Sequence, residues 1–99
     1  MAFAIYSHDK PAHQHVRDQH RSAHYAYLEQ HCALLIASGG LQDDAAQHMV
    51  GSVIILDVET REEASRFVEG DPFTQAGLAE RVEIVRWKKA FFDGKRVTA

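Results

Sequence analysis

Gly51-Ser52-Val53-Ile54-Ile55-Leu56-Asp57-Val58-Glu59-Thr60-Arg61-Glu62-Glu63 is the stretch on which the reading of the fold turns. Val53 to Leu56 is apolar and rich in β-branched residues without polar alternation, the pattern of a strand inside a sheet rather than at its edge. Thr60 and Glu63 follow at the spacing of a capping box, in which Thr60 accepts from the first turn and Glu63 reaches back to the cap. A central strand therefore hands over directly to a helix. Ala64, Phe67 and Val68 form the apolar stripe of that helix, and Gly70 is expected to end it in a left-handed conformation. Asp71-Pro72 then starts a short turn or helix, with Asp71 as N-cap and Pro72 at the first helical position.

Upstream, Leu34-Leu35-Ile36-Ala37 reads as a strand that runs into a glycine-rich bend at Ser38-Gly39-Gly40, and Gln42 to Met49 reads as a polar loop. His15 to Ala33 contains neither Gly nor Pro, and Val16, Ala23, Tyr27 and Leu28 recur at helical spacings, which predicts an amphipathic helix. Phe3 to Tyr6 makes an opening strand, closed by the polar stretch Ser7 to His13. Downstream, Arg81 to Phe92 alternates around Val82, Ile84, Val85 and Trp87 as a final strand, with Asp93 to Ala99 as a loose tail. The order β-α-β-β-α-β predicts an α+β chain with the ferredoxin-like arrangement, an antiparallel sheet carrying both helices on one face. Its other face is also apolar, and the expected cover is a second copy of the chain, a homodimer packed sheet to sheet.

The chain of 99 residues is read as one domain, 1–99, and its 45% hydrophobic and 25% charged residues are those of an ordinary globular protein. A net charge of -3 gives none of the concentrated positive charge that phosphate backbones attract, so no nucleic-acid partner is expected. No apolar run approaches the roughly 18 to 20 residues of a membrane helix, and no basic region precedes a secretory signal, so no membrane is expected and the default compartment is cytoplasmic. A single cysteine, Cys32, excludes an internal disulfide and a cysteine-based zinc cage.

Seven histidines lie between His8 and His48, and that half of the chain is where chemistry is sought. At about 100° per residue, His24 falls between Tyr27 and Leu28, within the apolar arc of the long helix. A histidine there is either a proton carrier whose tautomer another group fixes or a core residue bonded to a carbonyl. His20, His24 and His31 share a sector, but His24 and His31 stand about 10 Å apart along the axis, too far to share an ion, so no metal is expected. His8, His13 and His15 read as solvated loop residues. Arg17 and Arg21, two turns and one turn before His24, are either contacts for an anionic substrate oxygen or a solvated helix edge. Asp71 reads locally as a cap. Gly39-Gly40 and Gly51-Ser52 allow close backbone approach, yet neither matches a nucleotide-binding loop, so no cofactor is expected.

Arg21-Ser22-Ala23-His24, the Gly39-Gly40 pair, Gly51-Ser52, and Asp71-Pro72-Phe73 with Ala76-Gly77-Leu78 together resemble the YCII-related family over Phe3 to Phe91. That resemblance implies a dimeric α/β barrel of ferredoxin-like units. It also implies an active site in which a helix histidine meets the aspartate of the Asp-Pro turn, here His24 and Asp71. One branch of the family eliminates hydrogen chloride from a chlorinated hydroxyhydroquinone, and this chain is similar to it in length and pattern. The expectation is a small acid-base enzyme without cofactor acting on an oxygenated aromatic, with Arg17, Arg21 and Ser52 as substrate contacts. Its rivals are a non-catalytic ligand-binding or dimerisation module and a muconolactone-isomerase-like enzyme on the same barrel. The histidine-rich first helix departs from the family pattern.

Overall fold

The structure is a computed structural model that describes residues 2–97. It consists of β1 (Ala2–Asp9), α1 (Gln14–Gln30), β2 (Leu35–Gln42), β3 (Met49–Leu56), α2 (Arg61–Gly70), α3 (Pro72–Gln75), β4 (Ala79–Trp87), and the short strands β5 (Phe91–Phe92) and β6 (Lys95–Arg96). The main sheet is antiparallel with order β2-β3-β1-β4, the ferredoxin-like arrangement. As its composition requires, β3 lies inside the sheet, with β2 on one flank and β1 on the other. Thr60 caps α2, its hydroxyl oxygen accepting from Glu63 N at 3.2 Å and donating to the Glu63 carboxylate at 3.1 Å.

Alternation along β1 and β3 turns Phe3, Ile5, Ile54 and Leu56 toward the helices, where they pack with Leu28, Val58, Ala64 and Phe67. The opposite face carries Tyr6, Val53, Ile55 and Val85, and there Tyr6 is 41% and Val85 53% exposed. No helix among the described residues is long and apolar enough to cross a membrane.

Several sequence expectations need correction. Ser38, Gly39 and Gly40 do not bend; they pair with Ile54, Val53 and Ser52 and keep β2 extended. The long helix stops before Ala33: His31 N is shared between Tyr27 O and Leu28 O, and this tightening leads into a single 3-10 turn at Cys32–Leu34. Gly70 is the last residue of α2 and has no positive φ; α2 ends instead at Asp71 in extended conformation. The final strand ends at Trp87, and the supposed tail turns back on itself. Asp93 (φ 53°) and Gly94 (φ 74°) are both left-handed, the backbone of a tight hairpin turn that lets β5 pair with β6. Thr98 and Ala99, the end of that expected tail, lie outside the described residues.

Candidate active site

Asp71 stands at the corner between α2 and α3, and its position follows from local chain chemistry. Pro72 occupies the first turn of α3, and the Asp71 carboxylate caps that helix by accepting from Phe73 N at 2.9 Å. The same oxygen, Oδ1, accepts from His24 Nδ1 at 2.8 Å, across 47 positions of sequence. Capping and pairing are thus one arrangement, not alternatives. A carboxylate only accepts, so Nδ1 carries the hydrogen and the neutral ring keeps its lone pair on Nε2. His24 and Asp71 are each 6% exposed. His24 Nε2 makes no hydrogen bond, yet no fully buried side-chain polar atom among the described residues lacks a partner. Nε2 therefore reaches the accessible surface of the cavity that His24 lines.

That cavity, about 100 Å³, lies between α1, α3 and the β2–β3 part of the sheet. Its polar wall is Arg17, Arg21, His24, Ser38 and Ser52, and its apolar wall includes Tyr25, Leu28, Met49, Ile54 and Phe73. Phe73 stacks on the imidazole with ring centres 4.0 Å apart and planes 14° from parallel, restricting the ring's rotation. The Arg17 guanidinium lies 4.9 Å from the centre of the same Phe73 ring.

Arg17 is no solvated helix edge. It is 4% exposed, and its Nε and Nη2 hold Asp9 bidentately at 2.9 and 2.8 Å, while Nη2 also donates to Gly51 O at 3.1 Å. Nη1 has no partner among the described residues and so is not sealed from solvent; Arg17 borders both this cavity and a smaller one lined also by Asp9, Ser52 and Asp71. A guanidinium fixed on two sides, with the two N–H groups of Nη1 left over, is preorganised to meet an anionic oxygen. The Ser52 hydroxyl has no partner among the described residues. Arg21 lies at the rim and is committed elsewhere, donating to Asp18 at 2.7 Å. That bond, together with one from Gln14, holds the Asp18 carboxyl below its usual range.

The remaining histidines play other parts. His31 packs against the rings of Tyr27 and Phe67, His13 Nδ1 donates to Pro11 O at 2.8 Å, and His8 belongs to β1, 3.6 Å from the Glu83 carboxylate, rather than to a loop. No group of three or more His, Cys, Asp or Glu suited to a metal occurs among the described residues. Sequence reasoning missed Asp9, because β1 was expected to end at Tyr6; carrying the alternation of Phe3 and Ile5 onward through Ser7 puts Asp9 on the helix side. It also missed the contact of Phe73 with His24, for which the only signal was an aromatic directly after Asp-Pro.

Comparison with known proteins agrees with this architecture. The family model described as the YCII-related domain matches residues 1–88. Protein YciI of Escherichia coli O6:H1 is 31% identical over 98 residues, covering 92% of this chain and all of that protein, and Protein YciI of Shigella flexneri matches to the same extent. Among solved structures, 5-chloro-2-hydroxyhydroquinone dehydrochlorinase (TftG) from Burkholderia phenoliruptrix AC1100, in complex with 2,5-dihydroxybenzoquinone, superposes with a TM-score of 0.84. It is 38% identical in sequence, over 89% of this chain and 94% of that one. With a family match over most of its length and curated relatives aligned end to end, this chain belongs to the YCII-related domain family.

Proposed function

We propose that this chain is an acid-base enzyme that acts on a small oxygenated aromatic ring, with dehydrochlorination of a chlorinated hydroxyhydroquinone as its reaction. The observation that carries this reading is His24, whose Nδ1 is pinned to Asp71 while Nε2 faces a cavity flanked by Arg17 and Ser52. The likeness to a dehydrochlorinase bound to a dihydroxybenzoquinone supports both the substrate class and the reaction. At about 100 Å³ the cavity is smaller than the roughly 150 Å³ void that houses benzene, so it limits the substrate to one ring, part of which projects through the rim.

In this mechanism His24 Nε2 removes a proton from a ring hydroxyl, and Asp71 stabilises the imidazolium that forms. Arg17 Nη1 and Ser52 donate to the oxygen on which charge develops, and Arg21 contributes from the rim on leaving Asp18. The electron pair released from the O–H bond moves into the ring, and His24 returns the proton to the chlorine-bearing carbon. The C–Cl bond then breaks with its electron pair on chloride, a second hydroxyl loses its proton, and the ring becomes a hydroxyquinone. One C–H bond is made, one C–Cl bond is lost and HCl departs, so the balance closes without an external oxidant. Steady chloride release from a chlorinated hydroxyhydroquinone is the expected result. Asp71→Asn should keep both hydrogen bonds to Oδ1 and hence the fold, yet lower release about 10²-fold by removing the charge behind the imidazolium. No release by the native protein, or native release by Asp71→Asn, would count against the reading.

We also propose that the working form is a homodimer closed over the open sheet face. Tyr6, Val53, Ile55 and Val85 offer there the apolar strip that a second copy covers. Light scattering at micromolar concentration is expected to report twice the chain mass; a monomer would contradict it.

A further inference from the structure

The last turn of α2 delivers Asp71 to His24, and that turn rests on α1 through Tyr27. Tyr27 follows His24 by three positions, so both project from the same side of α1. Phe67 O is one of the carbonyls at the end of α2 that lack a regular helical partner, because Asp71 N bonds to Val68 O instead, at 3.1 Å. The Tyr27 hydroxyl fills the gap by donating to Phe67 O at 2.8 Å. Its ring is held further by His31, with centres 4.6 Å apart, and by Phe67 at 5.1 Å, so the hydroxyl has little freedom to withdraw.

Gly70, the residue before Asp71, lies directly against that hydroxyl. A Cβ at Gly70 would stand 2.6 Å from Tyr27 Oη, 3.1 Å from Cζ and 3.2 Å from Cε1. The glycine is not there for its backbone, since its φ is not positive; it is there for the space. We infer that Tyr27 and Gly70 are a positioning pair: the hydroxyl, seated where Gly70 has no side chain, sets how closely α2 lies on α1 and so sets the distance between Asp71 and His24. Burial, and after it the negative charge of Asp71, raises the Tyr27 phenol above its ordinary 10.0, in keeping with a ring wedged beside that carboxylate. Only the kinetic part of the test rests on the proposed reaction.

The test compares Gly70→Ala, Tyr27→Phe and the double variant with the native chain. The first readout is the downfield proton NMR signal of His24 Nδ1–H, which requires no substrate. The second is kcat and KM for chloride release from a chlorinated hydroxyhydroquinone. Gly70→Ala is expected to lose the downfield signal and to lower kcat at least about tenfold with KM little changed, as misplaced catalytic groups do. Tyr27→Phe alone leaves the space at Gly70 empty and should weaken the signal and lower kcat, whereas in the double variant the added methyl takes the hydroxyl's place as spacer, so the signal and most of kcat should return, a coupling that independent sites would not show. Alanine is intrinsically the better helix former, so helix propensity alone predicts no loss. A retained signal in Gly70→Ala, or a double variant no better than Gly70→Ala, would overturn the inference. If Gly70→Ala fails to fold, a folded double variant with the signal supports it and an unfolded one overturns it. A native chain that releases no chloride removes the reaction assignment and leaves the NMR comparison to decide the pair.

Discussion

His24→Ala is expected to lower chloride release by about 10²- to 10⁴-fold, the range for a removed general acid-base group. The same change removes a buried ring stacked on Phe73 and leaves Asp71 with only its capping bond, so it should also cost about 1–3 kcal/mol of stability. The two effects are separable by size. A domain with roughly 5–15 kcal/mol in hand stays almost wholly folded after such a loss, so a purely structural histidine would leave activity per folded molecule unchanged. A catalytic histidine would not. The void left beside Phe73 and Asp71 also has the shape of an imidazole, and added imidazole is expected to restore part of the lost turnover in His24→Ala and none in the native protein. Melting curves and chloride release on one preparation make the comparison. A well-folded His24→Ala chain with native turnover would end the catalytic reading.

The ferredoxin-like order was legible because its deciding signals are local. An uninterrupted β-branched strand at Val53 to Leu56, a capping box at Thr60 and an Asp-Pro cap at Asp71 each act within a few residues of themselves. Two of the corrections fall at glycines whose local pattern reads as conformational punctuation. Gly39 and Gly40 remain extended because β3 supplies ladder partners, and Gly70 serves packing against Tyr27. Both are tertiary reasons that a local pattern does not carry. The hairpin at Asp93-Gly94 is a different case: an Asp-Gly pair between Phe91-Phe92 and Lys95-Arg96 is itself a local turn signal.

The site divides along the same line. Helical phase alone placed His24 on the buried side of α1, and burial there is what the structure has. That Asp71 lies 2.8 Å away could not be read from pattern, because it depends on how α2 and α3 pack on α1; the family resemblance supplied that pairing. Arg17 shows the limit most clearly. Its place in the helix allowed either a solvated edge or a substrate contact, and neither anticipates a guanidinium buried against Asp9 and Gly51 O. Long-range ion pairs leave no periodic trace.

Arg17 therefore has two candidate duties, a strut between α1, β1 and β3 and a donor to the substrate, and a paired substitution separates them. Arg17→Met keeps the apolar stem but leaves the Asp9 carboxylate, whose side chain is 9% exposed, without its cation. Breaking a buried pair from one side should cost about 3–5 kcal/mol. Turnover should fall about 10²- to 10³-fold if Nη1 holds the developing oxyanion. Asp9→Leu added to Arg17→Met removes the stranded charge and fills its space, so most of the stability should return, as it does when both members of a buried pair become apolar. The donor does not return with it. Recovered melting temperature with turnover still depressed is the expected outcome, measured by thermal denaturation and chloride release on the two variants. Recovery of turnover in step with stability would instead make Arg17 a strut alone and leave Ser52 and Arg21 to receive the charge, since neither depends on Asp9 for its place.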